Sequence, residues 1–196
     1  MGRILDISER IILVLLFAAF AWANWRSEHL ANLLVLATEA MTVFFILIRR
    51  QAFSISAQPV DWLLALGGTM LPLIARPGGQ SFAPEVVGIV AMIGGAVVSA
   101  AAKLSLNRRF GIAPANRGVQ RNWAYSIVRH PMYVGYFVAQ FGYLLINPSP
   151  WNIGLYLAAW SLQFGRILRE ERWLLTDPEY QAYAASVRFR LVPGVF

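Results

Sequence analysis

The sequence predicts an all-α fold, a polytopic membrane helix bundle, and three observations carry that prediction. Of 196 residues, 58% are hydrophobic and only 14% charged, with a mean hydropathy of +0.53. That is more apolar surface than one small soluble core can hide. The apolar residues fall in about six runs, near 10–25, 30–48, 60–75, 85–106, 132–147 and 151–175, against the ~20 residues a helix needs to cross ~30 Å of hydrocarbon. The cations, finally, sort by side. With the N-terminus cytoplasmic and successive loops on alternate sides, fifteen of the 17 Lys and Arg residues fall inside, leaving Arg26 and Arg76 outside. Both termini are therefore expected in the cytoplasm, and in a bacterium the membrane is the inner one. This asymmetry accounts for the net charge of +7 without a nucleic-acid partner, for which no recognition motif is present. The lack of cysteine excludes disulfides, thiolate metal sites and a cysteine nucleophile.

The first run has no small-residue cleavage site and ends in Trp22-Ala23-Asn24-Trp25, an interfacial aromatic anchor, so it reads as a retained span. The second carries Glu39 near its middle, where an acid is costly. Glu39 either lines an acceptor tunnel or is a packing residue hydrogen-bonded toward Gln140 or Gln163. The link from Ser54 to Pro59 and the turn Arg76-Pro77-Gly78-Gly79 bound the third helix. In the fourth, Ala91, Gly95, Ser99 and Ala102 form a stripe of small residues suited to close helix packing, in preference to a dimer seam. Asn147-Pro148-Ser149-Pro150 makes a tight hairpin between the fifth and sixth helices. From Asn152 to Leu175 the sixth spans about 36 Å, more than the hydrocarbon core, so its end projects into the cytoplasm with Glu170 and Glu171. Asp177 as N-cap and Pro178 at the first helical position start a short helix to about Ser186, with Tyr180, Tyr183 and Val187 on one face. The following Arg188-Phe189-Arg190-Leu191-Val192-Pro193 reads as an extended tail with arginines on one side. Residues 1–103 form the N-terminal helices and 104–196 the motif-bearing part of the same bundle.

Chemistry concentrates in that second part. Residues 107–130 are a long basic connection, and Phe110 to Gly118, with two glycines and a proline, suits a loop folded close over a ligand. A solvated basic connection is the alternative. No glycine pattern matches a dinucleotide fingerprint or a P-loop. Arg129-His130-Pro131-Met132-Tyr133 stands at a helix start, where Pro131 suits the first turn and free amides can hold an anion. His29, the other histidine, falls on the opposite side of the membrane, so no metal site is expected. Glu170 and Glu171 either pair with neighbouring arginines, such as Arg166 at i,i+4 spacing, or are returned by the hairpin to the side of His130 and Tyr133.

Taken together, Arg129 to Gly135, Glu170-Glu171-Arg172-Trp173-Leu174, Pro178 to Tyr183 and Val187 to Pro193 make the C-terminal half similar to a known family. It resembles the membrane methyltransferases related to isoprenylcysteine carboxyl methyltransferase and the phospholipid methyltransferases, over roughly residues 104–196. The resemblance implies S-adenosylmethionine as methyl donor, leaving as S-adenosylhomocysteine, in a cytoplasmic C-terminal pocket, with a lipophilic acceptor entering from the bilayer. It places Tyr125, His130, Tyr133, Gly135, Glu170, Glu171, Tyr180 and Tyr183 around the cofactor. Arg129, Arg188 and Arg190 are implied near its carboxylate or the acceptor and, with Glu171, form the expected catalytic set. Where the family carries Gly-Pro-Tyr, this chain has Trp123-Ala124-Tyr125, a departure in the lining of the adenosine pocket. An isoprenoid or isoprenylcysteine-like carboxylate acceptor is already ionised and needs an arginine to orient it, not a base. An amine or thiol acceptor, as in phospholipid N-methylation, calls for Glu171 or His130 as base. Two rivals stand beside this reading. One is an NADPH-dependent sterol-type membrane reductase, with Arg108, Arg109, Arg117 and Arg121 on the 2′-phosphate; the other is a non-catalytic scaffold or transporter.

Overall fold

The computed structural model describes residues 2–24 and 30–196. The expectations placed on Trp25, Arg26 and His29 lie outside the described residues. Each of the six apolar runs forms a helix: α1 (Gly2–Asn24), α2 (Leu30–Ile48), α3 (Pro59–Met70), α4 (Glu85–Leu106), α5 (Pro131–Ile146) and α6 (Pro150–Leu174). The short α7 (Pro178–Ser186) follows, capped as its sequence predicts: Asp177 accepts from the Glu179 amide at 2.8 Å, with Pro178 in the first turn. Two two-residue strands, β1 (Ser54–Ile55) and β2 (Ala115–Asn116), pair antiparallel and pin the 107–130 connection to the α2–α3 link.

The helices are unequal as membrane spans. Among the described residues only Glu85–Arg109 is long and apolar enough to cross a bilayer by length and composition, whereas Leu36–Ile48, Pro59–Ile74 and Pro131–Ile146 are shorter apolar stretches. Pro72 limits α3, because it has no amide for the helical ladder, and the chain continues as a tighter turn over Leu71–Ile74. Conversely, α1 begins well before the expected residue 10. Its polar first turns are paired within the protein: Asp6 contacts Arg10 at 3.1 Å, Arg49 at 2.9 Å and Arg117 at 3.1 Å, and Glu9 contacts Arg49 at 2.8 Å.

The small stripe of α4 is a seam against α5. A Cβ on Gly95 would stand 2.4 Å from the Ala139 nitrogen and 2.5 Å from the Gly135 oxygen. One on Gly135 would meet the Ser99 nitrogen at 2.5 Å, and one on Gly142 the Gly88 oxygen at 2.6 Å. The two backbones touch because those side chains are absent. The hairpin at 147–150 is held by Asn152, fully buried, whose amide donates to the Arg76 and Asn147 carbonyls, each at 2.7 Å.

One core cluster joins both halves of the chain, bringing Leu13, Phe45 and Ala65 together with Phe110, Tyr125, Met132, Tyr180 and Tyr183. Large apolar side chains such as Leu15, Leu63, Val90 and Leu104 remain more than half exposed, a surface suited to lipid. The tail is turned, not extended. Pro193 and Gly194, the latter at φ +84°, fold it back so that the amides of Arg190, Leu191 and Val192 all donate to the Phe196 backbone oxygen, at 2.9, 2.8 and 3.1 Å.

Candidate functional site

Pro131 starts α5 with His130 as its N-cap residue, and the hairpin returns the charged last turn of α6 alongside. The amides of Arg129 and His130 do not face a free anion. They donate to the carbonyls of Phe189 and Arg190, both at 2.9 Å, so the tail closes this corner. Glu171, on the charged end of α6 beyond its apolar stretch, is almost fully buried and forms a hub. It lies 2.9 Å from His130 Nε2, accepts from the Tyr180 hydroxyl at 2.7 Å, and contacts Arg129 at 3.1 Å and Arg190 at 3.4 Å. Burial pushes its carboxyl group up, but the bonds from His130 and Tyr180 and the Arg129 charge outweigh this and hold it below the usual carboxylate range. Tyr180 is raised by its own burial and by the Glu171 charge, so it remains a hydroxyl donor.

Glu170 has another task. It accepts from the Tyr133 hydroxyl at 3.0 Å and borders a cleft that, with the part open to solvent, encloses about 770 Å³. Tyr125, Tyr133, Tyr180 and Tyr183 wall this cavity with Arg129 and His130, and residues 109–120 roof it. Tyr183 donates to the Tyr125 carbonyl at 2.7 Å, and burial raises both phenols. Asn116 in the roof donates to Asp177 at 2.5 Å and, with the capping amide of Glu179, lowers that carboxyl.

Of the residues singled out from the sequence, Tyr125, Arg129, His130, Tyr133, Glu170, Tyr180 and Tyr183 share this cavity. Glu171 stands behind its wall and holds it. Three others are placed elsewhere. Gly135 packs against α4, the Arg188 side chain is exposed with only its carbonyl accepting from Arg129 at 3.4 Å, and Arg190 lies between Glu171 and the Phe196 ring, 5.0 Å from its centre. Arg166 turns inward, 5.2 Å from the Tyr133 ring, while Glu170 bonds Tyr133. Glu9 was not foreseen. It accepts the amides of Ile112 and Ala113 at 2.9 and 3.0 Å and so suspends the roof from α1. A separation of more than 100 residues leaves no local signal of that contact. The arginines assigned to a reductase are engaged by the protein: Arg108 by the Ile48 carbonyl, Arg109 by Gln120, Arg117 by Asp6 and Arg121 by Glu179.

Against known proteins, residues 84–182 match the sequence profile of the family described as phospholipid methyltransferase. Among solved structures, the chain is similar to the eukaryotic intramembrane Ras methyltransferase ICMT, isoprenylcysteine carboxyl methyltransferase, determined without a monobody. The identity is 19% and the TM-score 0.50, with 94% of this chain and 74% of that one covered. At that identity the likeness is one of fold. No curated protein sequence matches the chain.

Proposed function

Because the chain belongs to the phospholipid methyltransferase family, a family of membrane methyltransferases, we propose that it methylates a lipophilic carboxylate drawn from the bilayer, using S-adenosylmethionine. The observation that carries this reading is the tyrosine-walled cavity, in which buried Arg129 keeps an Nε without a hydrogen-bond partner and Glu170 offers a carboxylate. These residues fit the cofactor. Tyrosine faces suit a purine and a sulfonium cation, the Arg129 guanidinium suits the amino-acid carboxylate, and Glu170 suits the ammonium.

When bound, the cofactor supplies an electrophilic methyl group on sulfur, whose in-line displacement depends on positioning. Glu171 is in this scheme a positioning residue. Hydrogen-bonded to His130 and Tyr180 through one oxygen and ion-paired with Arg129 and Arg190 through the other, it fixes one corner of the cavity and is engaged as a structural anion rather than as a base. A carboxylate acceptor, ionised near neutrality, requires none. The excess of cations on alternate loops supports a cytoplasmic cavity, with multiple spans and both termini cytoplasmic. N-methylation of a phospholipid amine is the second reading, favoured by the family description and by Glu170 facing the cavity, where it can take the amine proton.

Calorimetric titration of the detergent-purified protein with S-adenosylhomocysteine, beside NADPH, tests the cofactor assignment. Saturable binding of the former alone is expected; binding of NADPH alone refutes it. Transfer of labelled methyl to long-chain acids or to phosphatidylethanolamine then separates the two acceptors.

A further inference from the structure

Five arginines from α1, the α2–α3 link and the 107–130 connection meet at one end of the bundle. Arg10 donates through its two terminal nitrogens to the Leu47 and Arg49 carbonyls at 3.2 and 3.3 Å, and Arg108 donates through Nε to the Ile48 carbonyl at 3.0 Å. Two guanidinium groups thus share successive carbonyls at the C-terminus of α2, where the helix dipole favours cations. The Arg50 amide donates to the Arg108 carbonyl at 2.6 Å, and the Arg50 carbonyl accepts from Arg117 Nε at 3.3 Å, which brings both residues to the same corner. Arg49 completes the set through Asp6 and Glu9.

The carboxylates that oppose these cations, Asp6 and Glu9, are both buried and fully occupied. Asp6 serves Arg10, Arg49 and Arg117, Glu9 serves Arg49, and neither Arg50 nor Arg108 has an ion pair among the described residues. Nε of Arg10, with Nε and Nη1 of Arg49, is buried without a hydrogen-bond partner. Arg117 is lowered by its own burial and by the Arg49 charge, more than Glu9 and Asp6 restore. The corner is short of negative charge. Its outer members, Arg50 and Arg108, are exposed, and apolar side chains edge them: Phe53, 84% exposed, follows in the same link, and Phe44 and Leu47 stand exposed one turn apart on α2. Cations above an exposed apolar edge are the complement of an anionic phospholipid, with its phosphate above its acyl chains.

We propose that this corner binds the headgroup of an anionic membrane phospholipid, and that the bound lipid tightens the roof of the tyrosine-walled cavity. The phosphodiester lies on Arg10, Arg50 and Arg108, and the acyl chains run along Phe44, Leu47 and Phe53. A phosphate that takes up Arg10 leaves Asp6 to Arg49 and Arg117, and it is Arg117, with the Glu9 bonds to Ile112 and Ala113, that ties the roof down. The lipid also anchors the link that the roof is stitched to, since the Phe53 amide donates to the Asn116 carbonyl at 2.9 Å beside the β1–β2 pair. The site does not depend on what the cavity holds.

The test is native mass spectrometry of the full detergent-purified chain titrated with phosphatidylglycerol, phosphatidylcholine and glycerol 3-phosphate, beside hydrogen–deuterium exchange of residues 109–120 in nanodiscs with and without phosphatidylglycerol. Phosphatidylglycerol is expected to bind about tenfold or more tightly than phosphatidylcholine, and glycerol 3-phosphate not to displace it. Arg50→Gln and Arg108→Gln should each weaken phosphatidylglycerol by about fivefold, whereas Arg172→Gln, an equal loss of charge at an exposed position of α6, should change it by less than about twofold. The roof amides should exchange about threefold or more slowly with phosphatidylglycerol present, and the double variant Arg50→Gln/Arg108→Gln should lose that protection. Equal binding of the two phospholipids, or an equal loss in Arg172→Gln and Arg108→Gln, overturns the proposal. So does displacement by glycerol 3-phosphate, which makes the ligand a soluble anion, or roof exchange that ignores a lipid shown to be bound.

Discussion

Replacing Glu171 by glutamine removes one charge from four partners, and Arg129 is then left without its buried counter-ion. We expect Glu171→Gln to weaken S-adenosylhomocysteine binding by about tenfold or more, since breaking a buried pair from one side costs about 3–5 kcal/mol. Wild-type affinity in calorimetry would show that the hub does not shape the cavity. Its pH dependence has a definite sign. The carboxyl group is held below its ordinary value, so its stabilisation is complete above the unfolded value of about 4.3 and is lost as pH falls through the lower folded one. Melting curves should be flat from about pH 7 to 5 and then fall, with a smaller fall in Glu171→Gln. A second residue-scale expectation concerns Trp123. It has φ +57° and is 79% exposed, so the backbone at this departure from the family's Gly-Pro-Tyr still takes a glycine-like conformation. Trp123→Gly should raise resistance to chemical unfolding in detergent by about 0.5–1 kcal/mol.

At the scale of elements, the α4–α5 seam makes neighbouring glycines unequal. Gly95→Val forces a side chain into the α5 backbone and should cost about 1–3 kcal/mol or more, whereas Gly94, with nothing within 4 Å of an added Cβ, should accept alanine without loss. Yield and melting temperature of the two variants, side by side, check this. The seam, the hairpin and the capped α7 were legible because each rests on local signals: small residues at helical spacing, Asn-Pro-Ser-Pro, and Asp177 before Pro178. The shape of the tail was not. Alternating Arg188, Phe189 and Arg190 look extended, but the Pro193-Gly194 turn returns the backbone onto Phe196. The early start of α1 was hidden for the same kind of reason, since Asp6 and Glu9 look solvated until Arg49 and Arg117 are brought to them.

Across the whole molecule, the site depends on helices outside the family-matched residues 84–182. Glu9→Gln weakens acceptance of the Ile112 and Ala113 amides and unbalances Arg49, so S-adenosylhomocysteine affinity should fall several-fold although α1 does not border that cavity. Unchanged calorimetric affinity would show that the roof holds itself. The cavity's membership was largely readable, because helix polarity and a hairpin suffice to bring residues 129–133 to 170–171. The roles within it were not, because which arginine is paired depends on partners distant in sequence: Glu171 for Arg129 and Arg190, Asp6 for Arg117. The closure of Arg129 and His130 by the Phe189 and Arg190 carbonyls also sets an order of events on the ribosome. Until residue 190 has emerged, the corner has no partner for its two amides, although α1 to α6 are already synthesised. That corner is thus among the last contacts the chain can make, so a nascent chain lacking its tail should be unable to bind S-adenosylhomocysteine until translation reaches those residues.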